Sequence, residues 1–177
     1  MNGTKGLVVG AIVAVISIGS VAAFGTCSNC LAEDASAQEV LSVAAQEAVL
    51  DALVGPEGEY AAYATYAAIL DAYGQVNPFS NSMASEAKHI DALKSVLDSY
   101  GMAYPEENPY LGAVDVPESL AAAAQAGVDA EIANVALYEQ QLAAVADYPD
   151  IVEVFVNLQT ASQENHLPAF QRAAARY

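Results

Sequence analysis

Glu86 and His89 lie three residues apart in the stretch Ser85-Glu86-Ala87-Lys88-His89-Ile90-Asp91. If that stretch is helical, the two share a face, and a carboxylate and an imidazole can converge on one atom. Carboxylate with imidazole is a donor set for Fe, Mn or Zn, and the choice among them is made by geometry. A Glu-x-x-His pair directed into the middle of a helix bundle is the motif of sites that hold two such ions. Alone the spacing is a weak signal, because polar residues three apart are common on any solvated helix. Its meaning depends on whether the chain builds a bundle and supplies the remaining ligands.

The elements that must do this positioning are helices. Period-two alternation is absent over any useful length, so strand content is expected to be near nil. Residues 35–54 predict a helix, with Val40, Leu41, Val43, Val49, Leu50 and Leu53 in roughly helical spacing, ended by Gly55-Pro56. Four longer helices follow, over about 57–73, 80–100, 118–146 and 150–176. The first and third are followed by short connections, whereas the Pro- and Asn-bearing MAYPEENPYLGAVDVP joins the second to the third. The expected fold class is therefore all-α, a four-helix bundle with one long crossover and an extra helix before it. Pro168 falls inside the last helix and must kink or interrupt it, because it removes the donor for the carbonyl four residues earlier.

On these helices each inward stripe carries an ionisable group among apolar neighbours. The stripes are Glu59, Tyr63, Tyr66, Leu70, Tyr73; Glu86, His89, Ile90, Leu93, Leu97; Val128, Glu131, Val135, Tyr138, Leu142; and Phe155, Leu158, Ser162, His166, Phe170. Taken singly, each has a plain explanation. Glu59 suits a helix's first turn, and either histidine could be a core residue with one hydrogen bond. Taken together they do not. Burying a charge costs several kcal/mol unless it is paired or ligated, so three carboxylates and two imidazoles in one interior call for a cation. The chain has only these two histidines, and both fall on inward stripes. Tyr63 and Tyr66 read as core aromatics, although a tyrosine one turn from a ligand can hydrogen-bond it.

Composition sets the surroundings. Acids outnumber bases 22 to 5, for a net charge of −17, which disfavours nucleic acid and anionic lipid as partners. Residues 7–24 carry no charge and follow Lys5; their length fits either a signal peptide or a membrane anchor. Val21-Ala22-Ala23 offers a small-residue cleavage pattern, and the positive-inside tendency exports everything after Phe24 on either reading. Cys27 and Cys30 form a C-x-x-C without a second pair, which in an oxidising compartment suits a local or intermolecular disulfide beside a tether. Residues 1–30 thus read as signal or anchor, 31–56 as linker and accessory helix, and 57–177 as the bundle.

EGEYAAYATYAAILDAYG, FSNSMASEAKHIDAL, SLAAAAQAGVDAEIANV and DIVEVFVNLQTASQENHLPAF resemble, in order, the four blocks of a ferritin-like family known as domain of unknown function 2202. The resemblance spans about residues 57–173, and S-E-x-x-H-x-D and N-H-L-x-A-F are its most specific parts. It implies a bundle similar to rubrerythrin and ferritin, which hold two metals between a Glu from each of two helices and a Glu-x-x-His from each of the other two. On that pattern Glu59 and Glu131 match the single carboxylates, Glu86 with His89 one Glu-x-x-His, and His166 the second histidine. One position departs, since three residues before His166 stands Gln163 rather than Glu, a neutral side chain and at best a weak ligand. Glu164 is adjacent but about 100° away on a regular helix.

The resemblance implies a metalloprotein binding one or two Fe or Mn ions with oxidase or peroxidase-type chemistry; the donor set is also compatible with Zn, and the run at 7–24 adds the expectation that it is exported. No rubredoxin-like four-cysteine donor is present to make a self-contained peroxidase. The reading set against it is a non-enzymatic envelope or surface module with a degenerate metal site, which assembles with copies of itself or is anchored through residues 7–24.

Overall fold

The computed structural model describes residues 40–177, and these are helical with no strand among them. Expectations for the leader or anchor, the cysteine pair and residues 31–39 fall outside the described residues. Among the described residues no helix is long and apolar enough to cross a membrane. Six α-helices follow in order: α1 (Val43–Val54), α2 (Glu59–Tyr73), α3 (Phe79–Ser99), α4 (Leu120–Gln141), α5 (Pro149–Thr160) and α6 (Leu167–Ala174). A π-helical turn, Ala161–His166, joins the last two into one continuous element. Helices α2, α3, α4 and α5–π–α6 are the four members of the bundle, and α1 packs against α2 and α3.

Local chemistry explains the boundaries. Helix α1 starts later than its periodicity suggests because the Ser42 hydroxyl accepts the Ala45 N–H and caps the end. Gly58, in extended backbone, precedes Glu59, so α2 opens two residues later than expected with Glu59 as its first residue. Helix α4 ends at Gln141 rather than near residue 146, and the Ala-rich tail continues only as turns up to Pro149. Gly74 closes α2 with φ +80°, a conformation that favours glycine.

The crossover, residues 100–119, is laid along α2 by tyrosine and asparagine hydrogen bonds. The Tyr60 hydroxyl donates to Pro105 O, Asn108 Nδ2 to Tyr60 O, and the Tyr73 hydroxyl to Pro117 O. These contacts satisfy the polar backbone of a loop without regular structure. Two apolar clusters form the interior. One gathers Leu53, Tyr60, Leu93, Leu97, Tyr138 and Phe155 beneath α1; the other gathers Tyr66, Ile69, Phe79, Val128 and Phe170. Between α4 and α6 the Phe170 ring sits directly on Gly127, where a Cβ would stand 2.5 Å from Phe170 Cδ1.

Candidate metal centre

Among the described residues eight polar or charged side chains are buried: Glu59, Ser82, Glu86, His89, Glu131, Asn134, Ser162 and His166. All five sequence-predicted ligands are among them, and none is more than 8% exposed. Helix α2 contributes Glu59 from its first turn, α3 contributes Glu86 and His89, α4 contributes Glu131, and the π-helical turn contributes His166.

They meet as two triads, Glu59–Glu86–His89 and Glu86–Glu131–His166, with ligand atoms inside each within 4.8 Å of one another. Glu86 belongs to both. Its Oε2 lies 2.7 Å from His89 Nδ1 and its Oε1 lies 3.1 Å from His166 Nδ1. His89 Nδ1 is also 3.3 Å from Glu59 Oε2, and His166 Nδ1 is 3.4 Å from Glu131 Oε1. Two ligands on one ion with bonds of about 2.1 Å, at angles of about 90–110°, are themselves roughly 3.0–3.4 Å apart. Three of the four contacts fall in that range, and the fourth is slightly shorter. The two imidazole rings stack at 5.7 Å with 22° between their planes, both presenting Nδ1 to the carboxylates.

The donor set fits cations better than it fits itself. Glu86 Oε2 and His166 Nδ1 are fully buried yet find no partner with hydrogen-bond geometry among the described residues, despite the short separations above. A buried polar atom without a well-formed hydrogen bond recovers only part of the about 1–3 kcal/mol of hydration it loses, here through the ion-pair contacts alone. A cation between these atoms would satisfy both. Three carboxylates with two imidazoles suit Fe, Mn or Zn.

A second layer of hydrogen bonds orients the ligands. The Tyr138 hydroxyl donates to Glu59 Oε1 at 2.6 Å, and the Tyr66 hydroxyl donates to Glu131 Oε1 at 2.5 Å. Asn134 Nδ2 donates to Glu57 O at 3.0 Å and more weakly to Glu59 Oε1, while its Oδ1 accepts from Ser162 Oγ at 2.7 Å. Ser85 Oγ sits 3.2 Å from His89 Nε2, which fixes the ring with Nδ1 inward.

Electrostatics record the crowding. Burial and the neighbouring Glu86 charge push the Glu59 carboxyl up to about 7. Burial also pushes Glu86 up, but its contacts with His166, His89 and Glu59 outweigh that and hold it below the ordinary value. Burial favours neutral imidazoles, yet Glu59 and Glu86 raise His89 to about 9, and Glu131 and Glu86 raise His166 to about 10. Tyr66 and Tyr138 are held protonated by burial and by their carboxylate partners, so both remain donors. Without a cation, the centre holds its negative charge by binding protons.

The structure corrects one expectation. Gln163 is exposed and takes no part in the centre, and Glu164 is exposed as well. Pro168 supplies no N–H, and the preceding turn widens, with Leu167 N–H donating to Ser162 O five residues back. In a π turn, residues four apart stay in line while the residue three back swings outward, so Ser162 accompanies His166 inward. Sequence reasoning placed Ser162 on the inward stripe but gave Asn134, Ser85 and Tyr138 no role toward the ligands. The available signal was spacing: Asn134 and Tyr138 follow Glu131 by one and two turns on the same face.

A helical bundle with a buried carboxylate–imidazole centre shared across four elements is the class that fold and site define. The chain belongs to the family described as an uncharacterized protein domain, DUF2202, whose model matches residues 52–176. Among solved structures it is similar to a hypothetical protein from Methanococcus jannaschii DSM 2661, with 25% identity and a TM-score of 0.67. That match covers 78% of this chain and 84% of the other. No curated protein matches.

Proposed function

We propose that this chain is an exported ferritin-like metalloprotein that binds two divalent Fe or Mn ions in the bundle core and acts as an oxidase or peroxidase-type redox protein. One ion is held by Glu59, Glu86 and His89, the other by Glu86, Glu131 and His166. The observation that carries this reading is the sharing of Glu86, whose two oxygens each face a different histidine. Glu59 and Glu131 are the terminal carboxylates, fixed by Tyr138 and Tyr66. The order Glu, Glu-x-x-His, Glu, His along four bundle elements supports the ferritin-like assignment. Bound Fe or Mn would supply the electrons that reduce O2 or peroxide; the chain orients the ions and excludes bulk water. The uncharged run at 7–24 after Lys5 supports export, by cleavage or by anchoring.

A second reading is favoured by Gln163, whose outward position leaves the fourth element with an imidazole and no carboxylate at the centre. On that reading the protein is a non-enzymatic envelope module, self-associating or anchored, with one structural Zn or no metal. Anaerobic Fe(II) titration followed by O2 or peroxide separates the two. Two equivalents bound, followed by an absorbance change on oxidation, support the redox protein. One equivalent or none, without oxidation, supports the module, and binding unchanged in the His89→Ala, His166→Ala double variant overturns the core site altogether.

A further inference from the structure

A pocket of about 90 Å³ opens between α2 and α4 and reaches the centre at Glu86 and Glu131. Its rim is made of half-buried alanines, Ala61 and Ala62 on α2 with Ala130 and Ala133 on α4. Its floor is made of Tyr66, Glu86 and Glu131, all buried. Glu59, His89 and His166 do not line it. Because the rim side chains are single methyl groups, the passage down to Glu86 and Glu131 is left unfilled.

We infer that this pocket is the access route and binding site for a small monoanion of the size of azide, hydroperoxide or formate, at the Glu86–Glu131–His166 half of the centre. The inference rests on the two-ion reading above and adds which half is open and to what class of ligand. Charge supplies the first argument. Two divalent ions carry +4 against three carboxylates, and ligating imidazoles are neutral. Asn134, Ser162 and Ser82, the other buried polar side chains, are neutral too. The filled centre therefore keeps about one positive charge in a buried place, where an unbalanced charge costs several kcal/mol. One monoanion balances it.

Size supplies the second. The space of about 90 Å³ between the alanine walls accommodates a three-atom anion beside Glu86 and Glu131. Hydrogen bonding supplies the third. Thr65 donates to Ala61 O, Tyr66 to Glu131, and Asn134 to Glu57 O and Glu59. The pocket's side-chain donors are thus directed at the protein, and an anion is held there by the cation. Glu57 at the rim opposes an anion, but it is exposed and screened by salt.

The test uses Co(II)-loaded full-length protein, elemental analysis for metal content, and azide titration followed by visible absorption. Leucine at either wall, Ala62→Leu or Ala130→Leu, fills much of the space; Ala121→Leu, on the exposed face of α4, is the control. The expected result is saturable azide binding in wild type and control, weakened at least tenfold in the wall variants at unchanged cobalt content. Equal azide affinity in a cobalt-replete wall variant overturns the pocket assignment and leaves the metal centre standing. Loss of cobalt from both wall variants also overturns it, since the alanines then serve the fold. Absence of cobalt from the wild-type core removes the metal reading and this inference with it.

Discussion

Filling the centre at neutral pH must expel protons, and the number follows from the metal-free state. His89, raised to about 9, and His166, raised to about 10, each hold one proton at pH 7, while Glu59, at about 7, is half protonated. A cation requires neutral imidazoles and ionised carboxylates, so occupation of both sites releases about two and a half protons at pH 7. The release rises toward about three near pH 5.5, where Glu59 is mostly protonated, and falls to about two near pH 8.5. Because protons compete with metal throughout, affinity climbs with pH up to about 10. Mn(II) titration by calorimetry in buffers of different ionisation enthalpy reads the count directly. Replacing His166 by Ala removes one of the expelled protons. A release below about one proton for two bound ions would refute the reasoning, because the histidines would then be neutral and unpaired in the metal-free protein.

The same shifts set the stability of the metal-free protein. A raised histidine pKa stabilises fully below about 6.5 and is lost as pH rises through 9 to 10, while the raised Glu59 value loses stability between about 4.5 and 7. The melting temperature of protein in chelator should therefore fall steadily from pH 5 to pH 10, with His89 alone accounting for roughly 3 kcal/mol. Metal-loaded protein should show a flatter curve. Gly127→Ala should destabilise by about 1–3 kcal/mol in urea unfolding, because the added methyl meets the buried Phe170 ring. Gln163→Glu, although it restores the missing Glu-x-x-His spelling, should leave metal stoichiometry unchanged, because that side chain points to solvent.

The fold was legible because each bundle helix carries long apolar periodicity bounded by Gly, Pro or Ser. Where the reading overran, at the end of α4, Leu142 to Ala146 keep helical propensity and bury Val145 in the core, yet the backbone there continues only as turns. That Glu59, Glu86, His89, Glu131 and His166 would be buried together was legible because ionisable residues on inward stripes are expensive without a partner. The fate of Gln163 was not, since it depends on a π turn that adds one residue to the register just before Pro168. Nor were the bonds from Tyr138 and Tyr66 to carboxylates on other helices, because spacing within one helix says nothing of what faces it.

The arrangement also explains why the buried polar groups do not destabilise the bundle one by one. Tyr138 donates to Glu59 Oε1 and leaves Oε2 facing His89, whereas Glu131 Oε1 meets both the Tyr66 hydroxyl and His166 Nδ1. Of the three buried side-chain atoms without a hydrogen-bond partner among the described residues, Glu86 Oε2 and His166 Nδ1 belong to the triads, and the third, Gln141 Oε1, lies outside them.

The central claim is that Glu86 joins two ions in one buried centre. A crystal structure of the Mn-loaded protein, with anomalous scattering collected at a wavelength that excites manganese, tests it most directly. The account predicts two peaks about 3.5–4 Å apart, each within bonding distance of a different Glu86 oxygen, one beside His89 and the other beside His166. A single peak away from Glu86, or peaks confined to the acidic surface, would contradict it.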